Sequence, residues 1–479
     1  MVDSLAPLEL ASLLDVGMTG NGRRIPAEQT FPLLNPATSE EFAQVPAISE
    51  GQLDAVMSAA SEAVTAWSAN ESVRRAAMHR AADLLEGHAS EIATLLTAEQ
   101  GKVFREAVSE VMTGVVWLRW YADLEIKPTI LQDDEEVRIA VYRRPLGVAA
   151  LIIPWNFPIQ TALKKLAQAL RPGNTAIVKP ASDTPLATLR MVEILQEAFP
   201  PGVLSAVSGR SGLGDWLTKH PKTAKISFTG STEVGKIVAA AAVNDLKRVT
   251  LELGGNDAAI VLDDADPQAT AARIYARAFM NSGQICATVK RVYVHESLFD
   301  QVVEELVRHA ERAVVGDGRD PKTEHGPLTN AAQLRFVTEL VDDAVAHGAN
   351  LLTGGRVEGP GYFYRPAIVT GVTDEMRLVR EEQFGPVLPI LSYSDVDDAI
   401  REANDSEFGL GGSVWSADVG RAEAIAQRLE TGTVWINDHA ATRVNQPFAG
   451  AKWSGIGVEN AVEGMEQFTQ VHTVQTFRG

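Results

Sequence analysis

Cysteine is almost missing: Cys286 is the only one in 479 residues. A single cysteine closes no internal disulfide, and His, Cys, Asp and Glu nowhere cluster at metal-ligand spacing, so neither a disulfide scaffold nor a bound metal is expected. No apolar run approaches the roughly 20 residues that cross a bilayer, and the opening stretch MVDSLAPLELASLLDVG has no basic segment ahead of an apolar one. A membrane partner is therefore not expected, and the cytoplasm is the expected location. Positive charge is scarce too: 43 Lys and Arg stand against 62 Asp and Glu, a net −19. Without a basic footprint to neutralise phosphates, nucleic acid is not an expected partner. Internal repeats, low-complexity tracts and long Gly/Ser linkers are also lacking, so any domains share segments of chain rather than being strung along it.

What is present is a globular composition, 45% hydrophobic and 22% charged, in a chain longer than one hydrophobic core normally organises. From residue 51 to about 122 the spacing predicts helices, with Leu53, Val56, Ala60, Val64 and Trp67 on one face. From Gly147 the texture changes to short apolar runs alternating with amphipathic stretches: GVAALII, NTAIVK, GVLSAVSG, AKISFTG and DAAIVL. That rhythm predicts a parallel sheet with crossover helices. A second series follows the cysteine, in RVYVHESL, ANLLTGG, YFYRPAIVTGV, VLPILSY and TGTVWIN, and two α/β sheets imply two domains with a cleft between them. EEVRIAVYRRPLG reads as an exposed strand and VHTVQTF as its companion, spare edge strands that suggest an oligomer contact.

Five segments carry candidate chemistry, each open to a plainer reading. In KISFTGSTEVGK an apolar strand feeds a glycine turn into a helix start, which suits a phosphate but equally serves as ordinary turn geometry. In NTAIVKPASDTP, Lys179 ends a strand where ligands of open α/β sheets bind, or else snorkels there; Asp183 or Thr184 is placed to cap the helix that Pro185 begins. In LIIPWNFPIQ two prolines stiffen the backbone around Asn156, whose amide can serve an oxyanion or merely the turn. Glu252, inside the apolar stretch VTLELGGN, is a general base raised by burial or half of a structural ion pair. Cys286, after the small-residue turn Ser-Gly-Gln, is a buried inert thiol or a nucleophile.

Taken in order, PWNFP, VKP, FTGS, LELGGN, SGQIC and EEQFGPV resemble the aldehyde dehydrogenase superfamily, from about residue 30 to the C-terminus. The resemblance implies a Rossmann-like cofactor domain, an α/β catalytic domain and a small β bridging element that mediates oligomerisation. Their expected extents are 1–122 with 144–253, 254–454, and 123–143 with 455–479. It implies NAD(P)-dependent oxidation of a small-molecule aldehyde to the acid, by a homodimer or homotetramer of the non-acylating type. Cys286 would be the nucleophile, Glu252 the general base, and Asn156 with the Cys286 N–H the oxyanion hole. Lys179, Ser182, Gly230, Ser231, Trp155, Leu253, Glu382 and Phe384 would hold the cofactor, and Phe448, Lys164 and Thr442 would line the substrate pocket.

The sequence departs from the family pattern in places. Where NAD-preferring members carry a glutamate three residues after the lysine, Ser182 stands here, with Asp183 next; losing that carboxylate removes repulsion against a 2′-phosphate, so both NAD and NADP are expected to serve. PFAG puts Ala449 where a glycine is usual, and SGIGVE puts Val458 where an arginine is frequent. Lys164 occupies a tunnel position where an aromatic or an arginine often sits. With Arg443 and His439 it either attracts a carboxylate-bearing semialdehyde, of the succinic semialdehyde kind, or is simply solvated, leaving an aliphatic or aromatic aldehyde as substrate. Two further readings stand beside the main one. A CoA-acylating relative would not need Glu252 to activate water, and a non-catalytic binding protein would have no reason to keep Cys286, Glu252 and Asn156 together.

Overall fold

The structure, a computed structural model, describes residues 5–478; residues 1–4 of the opening stretch and Gly479, the last residue of the 455–479 segment, lie outside the described residues. Four helices, α1 (Glu50–Ala69), α2 (Glu71–Gly87), α3 (Ala89–Gln100) and α4 (Phe104–Asp123), form the layer that the periodicity predicts. Ser49 opens α1 with a reciprocal capping box to Gln52. Leu53, Val56, Ala60 and Trp67 are buried on its inner face, and Val64 is half-buried. Gly101 ends α3 in the left-handed region, at φ 95°.

The first sheet has eight strands, in the spatial order Arg23–Ile25, Met18–Gly20, Leu204–Ala206, Thr175–Lys179, Val148–Ile152, Thr223–Thr229, Arg248–Glu252, Gly455–Ile456. Its five central strands run parallel, and antiparallel partners close both edges. Helices α5 (Pro158–Leu170), α6 (Leu186–Leu195), α7 (Leu213–Lys219) and α8 (Thr232–Val243) make the crossovers. The second sheet has seven strands, parallel except for Asn350–Arg356 at one edge, with Ala258–Val261 between Arg291–His295 and Gly411–Trp415. Central strands buried on both faces are apolar without alternation, as in VAALI and AAIV, because helices cover both sides.

The strand foreseen in EEVRIAVYRRPLG is Val137–Pro145, and it pairs along its whole length with Thr469–Phe477, the foreseen companion; Thr129–Asp133 completes an exposed three-stranded sheet. Gly455–Ile456, grouped in the sequence with that bridging element, instead pairs with Leu251 and Glu252 at the edge of the first sheet. Among the described residues no helix is long and apolar enough to cross a membrane.

One expectation fails at the start of α6. Neither Asp183 nor Thr184 caps it: Asp183 accepts a hydrogen bond from Asn330, at 2.9 Å, and Pro185 takes the N-cap position without a side-chain bond. The carboxylate of Glu99, from the end of α3, accepts the N–H groups of Leu186 and Ala187 at 2.7 and 2.9 Å. Burial pushes that carboxyl up to about 8 against the pull of the two donors. Glu99→Ala should therefore remove about 1–2 kcal/mol of stability, the usual worth of a lost N-cap, read as a lower denaturant midpoint at unchanged slope. An unchanged midpoint would show that α6 does not depend on this cap.

Candidate active site

The site forms where the carboxyl edge of the first sheet meets the amino edge of the second. Lys179 and Phe228 both lie in register with Ile152, and Glu252 with Thr229, so the strands end level, where open α/β sheets bind ligands. Across the seam, Gly254 and Gly255 precede the strand Ala258–Val261, Cys286 and Lys290 precede Arg291–His295, and Glu382 and Phe384 precede Val387–Tyr393.

Cys286 is placed by a strained turn. Asn281, Ser282 and Gly283 take successive positive φ values of 49, 54 and 73°. Two of these are not glycine, at a cost of order 1–3 kcal/mol each that the surroundings must offset. The Ser282 hydroxyl donates to the Gly326 carbonyl at 2.8 Å, the Asn281 amide donates to the Asn156 carbonyl at 3.1 Å, and Gln284 Oε1 accepts the Thr329 N–H at 3.0 Å. A Cβ on Gly283 would stand 2.3 Å from the carbonyl oxygen of Gly385. Beyond the turn, Lys290 Nζ donates to the carbonyls of Cys286 and Gly255 at 2.5 and 2.7 Å, and to Glu382 Oε1 at 2.7 Å. Lys290 lies inside NSGQICATVKR, yet the sequence reading passed over it; with Arg291 beside it, nothing local marks its ammonium as buried.

Asn156 is buried, and its Nδ2 donates to the Gln284 carbonyl at 2.8 Å, leaving a second N–H on the same nitrogen. Glu252 is buried with Oε1 unpartnered. Burial pushes its carboxyl up to about 8, helped by Glu459 and opposed by Lys164 and Lys165. Burial likewise pushes the Cys286 thiol up to about 12, with Lys290 pulling the other way.

Cys286, Glu252, Asn156, Lys164, Thr442 and Phe448 all open onto one cavity of about 370 Å³. Trp117, Phe157, Met280 and Ile285 supply apolar wall, and Glu106, Gln160 and Arg277 polar wall. Lys164 is neither solvated nor a free cation. It forms an ion pair with Glu459, whose other carboxylate oxygen accepts from Lys165 at 2.5 Å, and its ammonium lies 5.9 Å from the Phe448 ring. The idea that His439 draws an anion also fails: the ring is fully buried, bonded to Ser413 at 2.9 Å and facing Asp257 at 3.3 Å. Arg443 is exposed and does not line the cavity.

The residues expected at the cofactor stand apart from this cavity. Ser231 Oγ caps α8 through the Val234 N–H, and the Gly230 N–H donates to the Glu252 carbonyl at 3.1 Å. Leu253 is buried so close to α8 that a Cβ on Gly235 would come within 2.4 Å of it. Trp155 meets Phe384 edge to face at 5.2 Å, Glu382 accepts the Gly255 N–H at 3.1 Å, and Ser182 is half-buried. Lys179 donates to the Pro180 carbonyl at 3.2 Å, and burial lowers its ammonium to about 8. An ammonium at one strand end and the N-terminus of α8 after another strand of the same sheet are a donor set that fits the ribose hydroxyls and phosphates of a dinucleotide.

Residues 25–474 match the family model described as the aldehyde dehydrogenase family. The chain is 39% identical to a phenylacetaldehyde dehydrogenase of Pseudomonas fluorescens, over 94% of this chain and 93% of that one. It superposes on the NAD+ complex of an aldehyde dehydrogenase from Bacillus cereus with a TM-score of 0.96 and 33% identity, covering 99% of this chain and 100% of that one. An NADP-dependent enzyme from E. coli matches with a TM-score of 0.94 and 34% identity, over 98% and 99% of the two chains.

Because Cys286 is unique, its ionisation can be read by alkylation. The thiolate alone reacts, so in cofactor-free protein the iodoacetamide rate should climb about tenfold per pH unit from 7 to 10 without levelling. A plateau near pH 7 would mean that the thiolate already exists and that burial does not govern it.

Proposed function

The chain belongs to the aldehyde dehydrogenase family and oxidises aldehydes with NAD or NADP, and from that premise we propose that Cys286 is the nucleophile, Glu252 the general base and Asn156 the oxyanion donor. The observation that carries this is the convergence of three distant segments on one cavity, with a thiol, an unpartnered buried carboxylate and a rigid amide facing the same space.

The Cys286 thiol gives its proton to ionised Glu252, which passes it to solvent; Sγ attacks the aldehyde carbon, and the oxygen that gains charge is held by the Asn156 amide and the Cys286 N–H. NAD or NADP, held by Lys179, Gly230, Ser231, Glu382 and Phe384, would supply the acceptor for the hydride on that carbon. The thioester left on Cys286 is opened by water, whose proton Glu252 removes as the oxygen attacks. Asn156 stabilises the second tetrahedral centre as it did the first, and sulfur departs with the acid released. Glu252 is what favours hydrolysis over transfer to CoA.

Lys179, Ser182, Gly230, Ser231, Trp155, Leu253, Glu382 and Phe384 are assigned to the cofactor. Both NAD and NADP are expected to serve, since Ser182 brings no carboxylate and Asp183 is engaged with Asn330. Aromatic walls at Trp117, Phe157 and Phe448 suit an aryl or aliphatic aldehyde, in keeping with the phenylacetaldehyde-oxidising relative. A carboxylate-bearing semialdehyde would have to compete with Glu459 for Lys164. The first sheet with its helices is assigned as the cofactor domain, the second as the catalytic domain, and the three-stranded sheet as the oligomerisation element. Ile130, Leu131, Val471, Val474 and Phe477 leave apolar surface exposed on that element, which supports a homodimer or homotetramer. A reactive thiol suits the reducing cytoplasm.

NAD(P)H absorbance on mixing protein, either cofactor and a panel of aliphatic, aryl and carboxylate-bearing aldehydes should give turnover with the first two classes, abolished in Cys286→Ala. Turnover retained by that variant would overturn the assignment of the nucleophile. The base has its own signature. Burial keeps Glu252 protonated until about pH 8, and a protonated carboxyl accepts no proton, so the rate of thioester hydrolysis, read as the steady phase that follows a burst of NAD(P)H, should rise between pH 6 and 9. Glu252→Gln should flatten that rise and lower kcat by about 10²–10⁴-fold; a rise that persists in the variant would assign it to another group.

A further inference from the structure

Lys102 and Glu110 form an ion pair at 2.5 Å with both side chains fully buried. Lys102 lies between α3 and α4, and Glu110 is on α4. Such a pair is weak support for stability, since desolvation opposes what attraction gains. Its remaining contacts have one destination. Lys102 Nζ donates to the Asn156 carbonyl at 2.8 Å and lies 3.8 Å from the centre of the Phe157 ring. Glu110 Oε1 accepts the N–H groups of Ile159 and Gln160 at 2.8 and 3.1 Å, occupying the N-terminus of α5. Among the described residues, every hydrogen-bond partner of these two side chains, apart from each other, falls on residues 156–160.

The Asn156 carbonyl also accepts from the Asn281 side chain, at 3.1 Å, so the same oxygen ties the amide-bearing segment to the strained turn before Cys286. We propose that the Lys102–Glu110 pair is the positioning device of the oxyanion hole: it fixes the backbone on both sides of the Asn156 amide and so sets that amide against the Cys286 N–H. The inference rests on the reading of Asn156 as an oxyanion donor. Neither residue lies where it must touch the reacting atoms, and neither is a catalytic residue. Glu110 contributes a surface to the cavity, but its carboxylate is already committed to the lysine and to two N–H groups.

The test is a mutant cycle on full-length protein, read in single turnovers with saturating cofactor. Asn156→Ala should slow aldehyde oxidation about 10²-fold, the usual loss for one oxyanion donor. Lys102→Met with Glu110→Gln removes the pair without stranding a charge, and should slow it about 10- to 100-fold with both KM values within about threefold, as a small misplacement does. In the triple variant the losses should not multiply: its rate should stay within about threefold of Asn156→Ala alone, because the pair acts only through that amide. Should the double variant not fold, Glu110→Gln by itself carries the same cycle, with a smaller loss that is again absent in the Asn156→Ala background. Multiplying losses, or an unimpaired rate in the pair variants, would overturn the proposal. An unimpaired Asn156→Ala would instead overturn the oxyanion assignment on which it stands.

Discussion

One ammonium ties the seam between the two sheets. Lys290 Nζ has three protons, and its acceptors are the carbonyl of Gly255, the carbonyl of Cys286 and the carboxylate of Glu382. A buried ammonium with all of its donors used is tolerated where an unpaired one would not be. The geometry follows from that requirement. The glycine pair, the Cys286 loop and the EEQF segment precede three different strands of the second sheet, and each must bring an oxygen to the same point. The Cys286 loop reaches that point through the left-handed turn at Asn281–Gly283, whose strain is held in place by the bonds around it.

A second buried cluster governs the other side of the thiol. Lys164 and Lys165 share Glu459, and the Glu252 carboxyl feels all three charges. With Glu252 protonated the cluster carries one excess positive charge; with Glu252 ionised it is neutral. The lysines therefore favour ionisation, while burial and Glu459 oppose it, and the outcome is a carboxyl near 8. In water Glu252 would be ionised far below neutrality and a poor base; fully desolvated without the lysines it would hold its proton too tightly to cycle. Lys164 thus has an electrostatic use that needs no anionic substrate.

Much of this was legible in the sequence, and the boundary follows from distance along the chain. Asn156, Lys179, Gly230 and Glu252 each stand at or just beyond the carboxyl end of an apolar strand and Cys286 ahead of one, so strand texture marks them and their order carries the family resemblance. Lys102, Glu110 and Glu99 lie within or beside helices, where a charge reads as a solvated face. Lys102 and Glu110 are 8 residues apart, but their other partners and those of Glu99 are 49 to 88 residues away, and nothing local records that pairing. The error at α6 has this origin: Asp183 and Thr184 look like caps by adjacency, but the groove fills with a carboxylate delivered from α3. His439 was misread for the complementary reason. It sits in a loop of polar residues, yet the loop folds back so that the ring is fully buried against Ser413 and Asp257.

The division of the site into two sides is also a consequence of the sheets. The cavity at Cys286 is walled by α4, by α5 and by the loop carrying Thr442 and Phe448, whereas Lys179, Ser231 and Leu253 stand apart from it among the strand ends and α8. Cys286 lies on a loop that closes the cavity from a third side, together with Ile285 and Ala287. Ala449 and Val458 flank this arrangement without entering it. Phe448 and Glu459 next to them exchange backbone hydrogen bonds at 2.8 Å in both directions, which holds the Phe448 wall and the Glu459 carboxylate in one short antiparallel bridge. A change in that loop would therefore reach the pocket wall and the electrostatics of Glu252 together, which ties the shape of the pocket to the basicity of its carboxylate.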